Sequence, residues 1–216
     1  MKENPLEGLE DLDIPVTLEA ACKGGVSDKS NVTMCTKRGI ALAKTNAPKN
    51  KLAQEVWPHY YGAIVLYTGQ SIYKALNKAL REQHSKVPKY LNYLRLLLHG
   101  MSQMQKAKTQ KLWRGIGCDL YDEYEVGKVM TWWSVSSCTS DKKVAESFMK
   151  SLGGGSTFLT LTCKTAVEVF QYSLYPHEKE SLLPPGTQLK VISRARKGKV
   201  THIEVEEVGT WKDYQA

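Results

Sequence analysis

The sequence predicts an α+β fold, with a helical first half and a mostly β second half. Between Thr33 and Gln110 apolar residues recur at three- and four-residue steps, the period of a helix face. From Lys111 onward, short runs rich in β-branched and aromatic residues take over, separated by Gly, Asp and Pro clusters, as strands and turns require. The 216 residues are 42% hydrophobic and 24% charged. That balance suits a folded chain with a sizeable core and excludes wholesale disorder.

Residues 1–30 form an acidic leader, expected to be a flexible, solvated tail; an arm lying on a basic surface is the other reading. Its first 21 residues hold one Lys against six acids. Met1–Glu10 lacks a basic start followed by an apolar run, so no signal peptide is expected. A cytoplasmic location follows, or a secreted or delivered one if a signal was removed. The remainder, 31–216, is expected as a single domain, with a helical lobe over 31–110 and a β-rich core over 111–216. In the lobe, Ile72, Leu76, Ala79 and Leu80 mark one helix, with Ser71 as its expected cap. Tyr90, Leu91, Leu94, Leu97 and Leu98 mark another, with Pro88 in its first turn. The expected strands are Lys111–Ile116, Val129–Ser137, Ser156–Cys163, Val167–Tyr172 and Gln188–Arg194. A turn at Arg196–Gly198 then leads into Lys199–Val208, closing the chain with a hairpin. One helix, Asp141–Leu152, interrupts them; Asp141 caps it, and Val144, Ala145, Phe148 and Met149 share a face. Gly153–Gly155 predicts a mobile loop after it.

Composition also narrows the chemistry. Five scattered cysteines with no CxxC pair argue against a disulfide scaffold and a zinc site, and the five histidines have no ligand spacing, so no metal is expected. No apolar stretch approaches bilayer length. The net charge of +8 is concentrated in residues 70–111, where nine Lys/Arg face only Glu82. Such a balance suits nucleic acid, an anionic small molecule, or solubility alone.

Three separated pieces carry reactive side chains. In Leu112-Trp113-Arg114-Gly115, an arginine ends an apolar strand beside glycine. A fixed guanidinium fork next to accessible backbone can meet a phosphate or an amide; a strand-end arginine is equally a surface residue. In Trp132–Ser140, Ser134, Ser136, Ser137, Thr139 and Ser140 crowd a strand end, as hydroxyls that orient other side chains or as a polar turn. In His177-Glu178-Lys179-Glu180-Ser181, an extended backbone would send Glu178 and Glu180 the same way. Two like charges so placed repel unless a cation sits between them; a solvated acidic loop is the alternative. Ser137 stands 23 residues after Arg114, and Glu180 a further 43.

Together these pieces resemble the arginine–serine–glutamate (R-S-E) class of mono-ADP-ribosyltransferases, which includes bacterial toxin domains and vertebrate ecto-enzymes. Tyr67-Thr68-Gly69, Ile72-Tyr73, Leu76-Asn77 and Leu80-Arg81 resemble the family's helical-lobe signature, Asp141–Ser147 its helix after the serine motif, and Glu178–Pro185 its glutamate strand. The serine segment departs from the family's Ser-Thr-Ser by reading Ser137-Cys138-Thr139. The resemblance spans about residues 50–195 and implies a mixed, mostly antiparallel two-sheet core forming an NAD-binding cleft. It implies NAD as co-substrate, no metal, and transfer of ADP-ribose to an arginine of a target protein, with NAD hydrolysis as a side activity. By the resemblance, Glu180 stabilises the cation that forms at the ribose, Ser137 orients Glu180, and Arg114 grips the NAD phosphates. Gly115 meets the nicotinamide amide, and Thr139 supplies the second hydroxyl of the serine motif. Phe148 is a candidate nicotinamide platform, or one more core contact. Glu178 implies an arginine acceptor, and Tyr175 is a candidate to stack on it, or a core residue. The expected partners are NAD and a protein with an exposed arginine; no nucleic acid, no membrane and a monomer are expected. The remaining alternatives are an enzyme that hydrolyses NAD or modifies small guanidines, and an inactive or nucleic-acid-binding basic module.

Overall fold

The first three helices start at short polar side chains. Thr17, Asp28 and Asn50 accept hydrogen bonds from backbone N–H groups at the starts of α1 (Leu18–Cys22), α2 (Lys29–Asn46) and α3 (Lys51–Thr68), supplying partners that the first turn lacks. The computed structural model describes residues 4–69, 71–107, 111–151 and 155–211. Two further helices follow, α4 (Tyr73–Glu82) and α5 (Leu91–Ser102). Ser71 does not cap α4; its Oγ accepts from Asn31 Nδ2 instead. Pro88 lies inside a 3-10 turn, His84–Tyr90, three residues before α5 begins.

Among the described residues the chain divides into two compact units, one of 4–105 with Tyr172–Tyr175, the other of Lys106–Gln171 with 176–211. In the helical unit α2 and α3 approach so closely that a Cβ on Gly39 would lie 2.0 Å from the Pro58 carbonyl oxygen. Buried polar groups are paired across this core: Tyr93 OH donates to the Ala63 carbonyl, and Asn77 Nδ2 to Tyr67 OH. The segment Tyr172–Tyr175 packs here through Tyr172, whose ring lies 4.6 Å from that of Tyr61. The leader corrects the expectation of a solvated tail. Leu6, Leu9 and Leu18 are buried, and each such leucine favours the fold by about 1.5–3 kcal/mol. Apolar side chains hidden among the acids hold this segment down.

Among the described residues the second unit has eight strands: β1 (Lys111–Ile116), β2 (Val129–Trp132), β3 (Ser136–Thr139), β4 (Ser156–Thr162), β5 (Val167–Glu168), β6 (Glu180–Leu183), β7 (Thr187–Lys197) and β8 (Val200–Thr210). They form one hydrogen-bonded sheet in the order β2-β7-β8-β4-β1-β3-β6-β5, where two sheets were expected. Among the described residues only the β4–β8 pairing is parallel, so the sheet is mixed and mostly antiparallel. The closing hairpin turns at Gly198, whose φ of 62° a side chain would resist. Val129–Ser137, expected as one strand, divides into β2 and the start of β3. β2 pairs with β7, and β3 leaves to join β1 and β6. Helix α6 (Lys142–Ser151) packs on β1, β3 and β4. The glycines expected as a loop after it lie, except for Gly155, outside the described residues. Leu112, Leu159, Leu161, Leu189, Val191 and Ile203 make the centre of this unit's core.

Candidate active site

β3 lies between β1 and β6, so the sheet itself gathers the three sequence pieces. Trp113 pairs with Thr139, and Thr139 pairs with Glu180. Ser137 Oγ donates to Glu180 Oε1, while Ser136 turns its hydroxyl to the Ser134 carbonyl. Ser137 is therefore the serine that meets the glutamate. Arg114 Nη1 donates to the Ser137 carbonyl at 2.8 Å, and its guanidinium stands 5.8 Å from the Trp132 ring centroid. Trp132 is in turn held by its Nε1–H on Tyr124 OH at 2.9 Å. Sequence reasoning missed this brace. Trp132 next to a hydroxyl-rich strand end was a signal, but its partner lies eight residues upstream in a loop.

Glu180 is the electrostatic centre of the group. Burial pushes its carboxyl up to about 7, and the charge of Glu178 adds to this. The Ser137 hydrogen bond and the Arg114 charge act in the opposite direction. A carboxylic acid poised near neutrality beside a cation is a common mark of a functional site.

The charge of Glu178 reaches Glu180, but not along an extended strand as expected. Glu178 ends a 3-10 turn, Pro176–Glu178, and Lys179 has a left-handed φ of 46° before β6 begins at Glu180. The alternation of a strand does not apply across such a turn. Glu178 is exposed and Glu180 buried. Thr139 Oγ1 donates to the Glu178 carbonyl at 2.8 Å, so the second hydroxyl of the serine segment holds the acidic turn.

Gly115 lies under α6. A Cβ there would come within 3.3 Å of the Ala145 carbonyl oxygen and of Met149 Cβ, and within 3.4 Å of Phe148 Cδ1. Phe148 is 56% exposed, which rules out the core-contact reading and leaves an aromatic face open beside the Gly115 backbone. Asp141 takes its expected place before α6, accepting from Lys143 N–H. Tyr175, half-buried, belongs to the segment that packs in the helical unit, and its N–H bonds Ser173 Oγ. Among the described residues no group of three or more His, Cys, Asp or Glu could hold a metal ion, and no helix is long and apolar enough to cross a membrane. The donor set fits a dinucleotide with a cationic ring. It offers a guanidinium for phosphate, an exposed aromatic ring for stacking, and a buried carboxylate for a developing positive charge.

Known proteins resemble the chain in the same sense. The NAD(+)–protein-arginine ADP-ribosyltransferase Tre1 of Serratia proteamaculans (strain 568) is 25% identical over 170 residues, covering 77% of this chain and 36% of the relative. Human ecto-ADP-ribosyltransferase 5 is 26% identical over 137 residues, covering 57% of this chain and 45% of that protein. The chain spans half the length or less of the curated relatives it matches. Among solved structures, the eukaryotic mono-ADP-ribosyltransferase ART2.2 superposes with a TM-score of 0.71 at 18% identity, covering 97% of this chain and 93% of that one, so the fold is shared. The family profile described as NAD:arginine ADP-ribosyltransferase matches residues 40–213, most of the chain, which therefore belongs to that family.

Proposed function

We propose that the chain transfers ADP-ribose from NAD to the guanidinium of a protein arginine, releasing nicotinamide, and hydrolyses NAD as a side reaction. The observation that carries this reading is the hydrogen bond from Ser137 to a buried Glu180 whose carboxyl also feels the charge of Glu178. In the reaction the bond between nicotinamide and ribose breaks, and its electron pair leaves with the ring nitrogen. Positive charge develops on the ribose, as in glycoside cleavage. Ionised Glu180 stabilises that charge through the ribose hydroxyl, and Ser137 keeps the carboxylate aimed. Arg114 binds the phosphates; its bond to the Ser137 carbonyl ties phosphate binding to the strand that orients Glu180. Phe148 and the Gly115 backbone receive nicotinamide.

Glu178 acts on the acceptor. A guanidinium is protonated at every ordinary pH, so it must be attracted, oriented and relieved of a proton before its nitrogen can bond the ribose carbon. An exposed carboxylate beside the buried one performs these tasks, taking the proton as general base. The target is a protein with an accessible arginine, and delivery or secretion fits the bacterial relatives.

The pair Glu180→Gln and Glu178→Gln tests the roles, with NAD hydrolysis and transfer to agmatine followed together. Glu180→Gln loses both activities. Glu178→Gln loses transfer and keeps much of the hydrolysis. Equal loss of both activities in Glu178→Gln would sink the division of labour and favour an NAD glycohydrolase.

A further inference from the structure

Lys179, between the two glutamates, has the one non-glycine backbone with positive φ among the described residues, at 46°. A lysine has no intrinsic reason to adopt this conformation, which glycine, asparagine and aspartate enter more readily. Contacts from outside must hold it, and they come from one corner of the unit, where β3 runs into α6. Thr139 Oγ1 donates to the Glu178 carbonyl at 2.8 Å, and Ser140 N–H to the Lys179 carbonyl at 3.2 Å. Lys179 Nζ reaches Asp141 Oδ2 at 2.9 Å. Consecutive residues of the corner thus grip consecutive residues of the turn. Asp141 is itself anchored, since its other oxygen accepts from Lys143 N–H at the start of α6 and its own N–H bonds Thr139 Oγ1.

We infer that Lys179 is a positioning residue for acceptor selection, its ion pair with Asp141 holding the turn that brings Glu178 beside Glu180. The inference rests on the proposed transferase reading and adds residues to which that reading gives no part. Its selectivity follows from how the two glutamates are held. Glu180 has the Ser137 hydroxyl, the β3 ladder and burial. Glu178 is exposed, and its carbonyl is held by Thr139. Loosening the turn therefore displaces the acceptor carboxylate before it disturbs the buried one.

The test uses Lys179→Met, Lys179→Arg and Asp141→Asn, with NAD hydrolysis and transfer to agmatine measured on the same preparation. An exposed ion pair is a modest interaction, so Lys179→Met and Asp141→Asn should lower the ratio of transfer to hydrolysis by about fivefold, chiefly through a higher agmatine KM. Lys179→Arg restores the ratio by restoring the pair. Raising the salt concentration screens exposed charges, the attraction of Glu178 for agmatine included, so it lowers the ratio in both chains but lowers it further in the wild type than in Lys179→Met. Should Asp141→Asn lose stability through its part at the helix start, Lys179→Met, which leaves the bond from Lys143 N–H to Asp141 Oδ1 in place, decides; thermal unfolding of each variant identifies that case. Wild-type ratios in Lys179→Met, or equal losses of hydrolysis and transfer, overturn the inference alone. A wild-type chain that hydrolyses NAD yet modifies neither agmatine nor protein arginine overturns the transferase reading, and the inference falls with it.

Discussion

Removing the Ser137 hydroxyl should move the pH dependence of NAD cleavage rather than only lower its rate. Burial holds the Glu180 carboxyl near 7, and the hydrogen bond from Ser137 is among the influences that keep it from rising further. A hydrogen bond to a charged group contributes about 1.5–3 kcal/mol, and 1.36 kcal/mol corresponds to one pKa unit, so Ser137→Ala should raise this carboxyl by about one to two units. Cleavage needs the ionised form. The acid limb of the profile of kcat/KM for NAD, which reports the free enzyme, should therefore move from about 7 to between about 8 and 9. The assay is initial-rate NAD hydrolysis from pH 5 to 10, with folding followed at each pH. Much of the lost activity should return on the alkaline side. An acid limb that stays in place while the rate falls by the same factor at every pH would refute the argument, because Ser137 would then act on geometry without affecting ionisation.

The same buried carboxyl predicts a stability effect. Its folded-state value of about 7 lies above the ordinary 4.5, so the folded chain holds this proton more tightly than the unfolded chain. That contribution is complete below pH 4.5 and is lost as pH rises through 7. By pH 8 the loss amounts to about 3 kcal/mol. Glu180→Gln should therefore raise the thermal midpoint above that of the wild type at pH 8 but not at pH 4; an equal or lower midpoint at pH 8 contradicts it. Gly39→Ala forces a Cβ to within 2.0 Å of a backbone oxygen, and urea unfolding should show a loss of about 3 kcal/mol or more. Phe148→Ala removes a ring that is 56% exposed, so the midpoint should stay within a degree or two while the KM for NAD rises about tenfold, the loss of one stacking contact of about 1.5 kcal/mol. An unchanged KM would remove Phe148 from the nicotinamide site.

The site was legible where function and secondary structure coincide in the chain. Arg114 lies within a strand whose bounds, Lys111–Ile116, are those expected. Ser137 sits among hydroxyls that a core strand has no use for, and the capping Asp141 marks the helix that follows. The chain order of these pieces does not reveal that β3 lies between β1 and β6, yet that pairing makes them neighbours. What stayed hidden was set by tertiary contacts. The Lys179 backbone follows from its grip on Ser140 and Asp141, so an alternation argument over Glu178–Glu180 chose the wrong conformation even though the charge of Glu178 does act on Glu180. Phe148 shares a helical period with buried Ala145, but α6 turns it outward beside Gly115. Leu6 and Leu9 were masked by the acids around them, since net charge says little about which few side chains a core will take.

The central claim is tested most directly by incubating the purified chain with isotopically labelled NAD and a cell lysate, then locating the modified side chains by mass spectrometry. The account predicts ADP-ribose on arginine, in amounts that Glu178→Gln removes while free ADP-ribose continues to form. Label on other side chains, or free ADP-ribose alone from the wild-type chain, would contradict it.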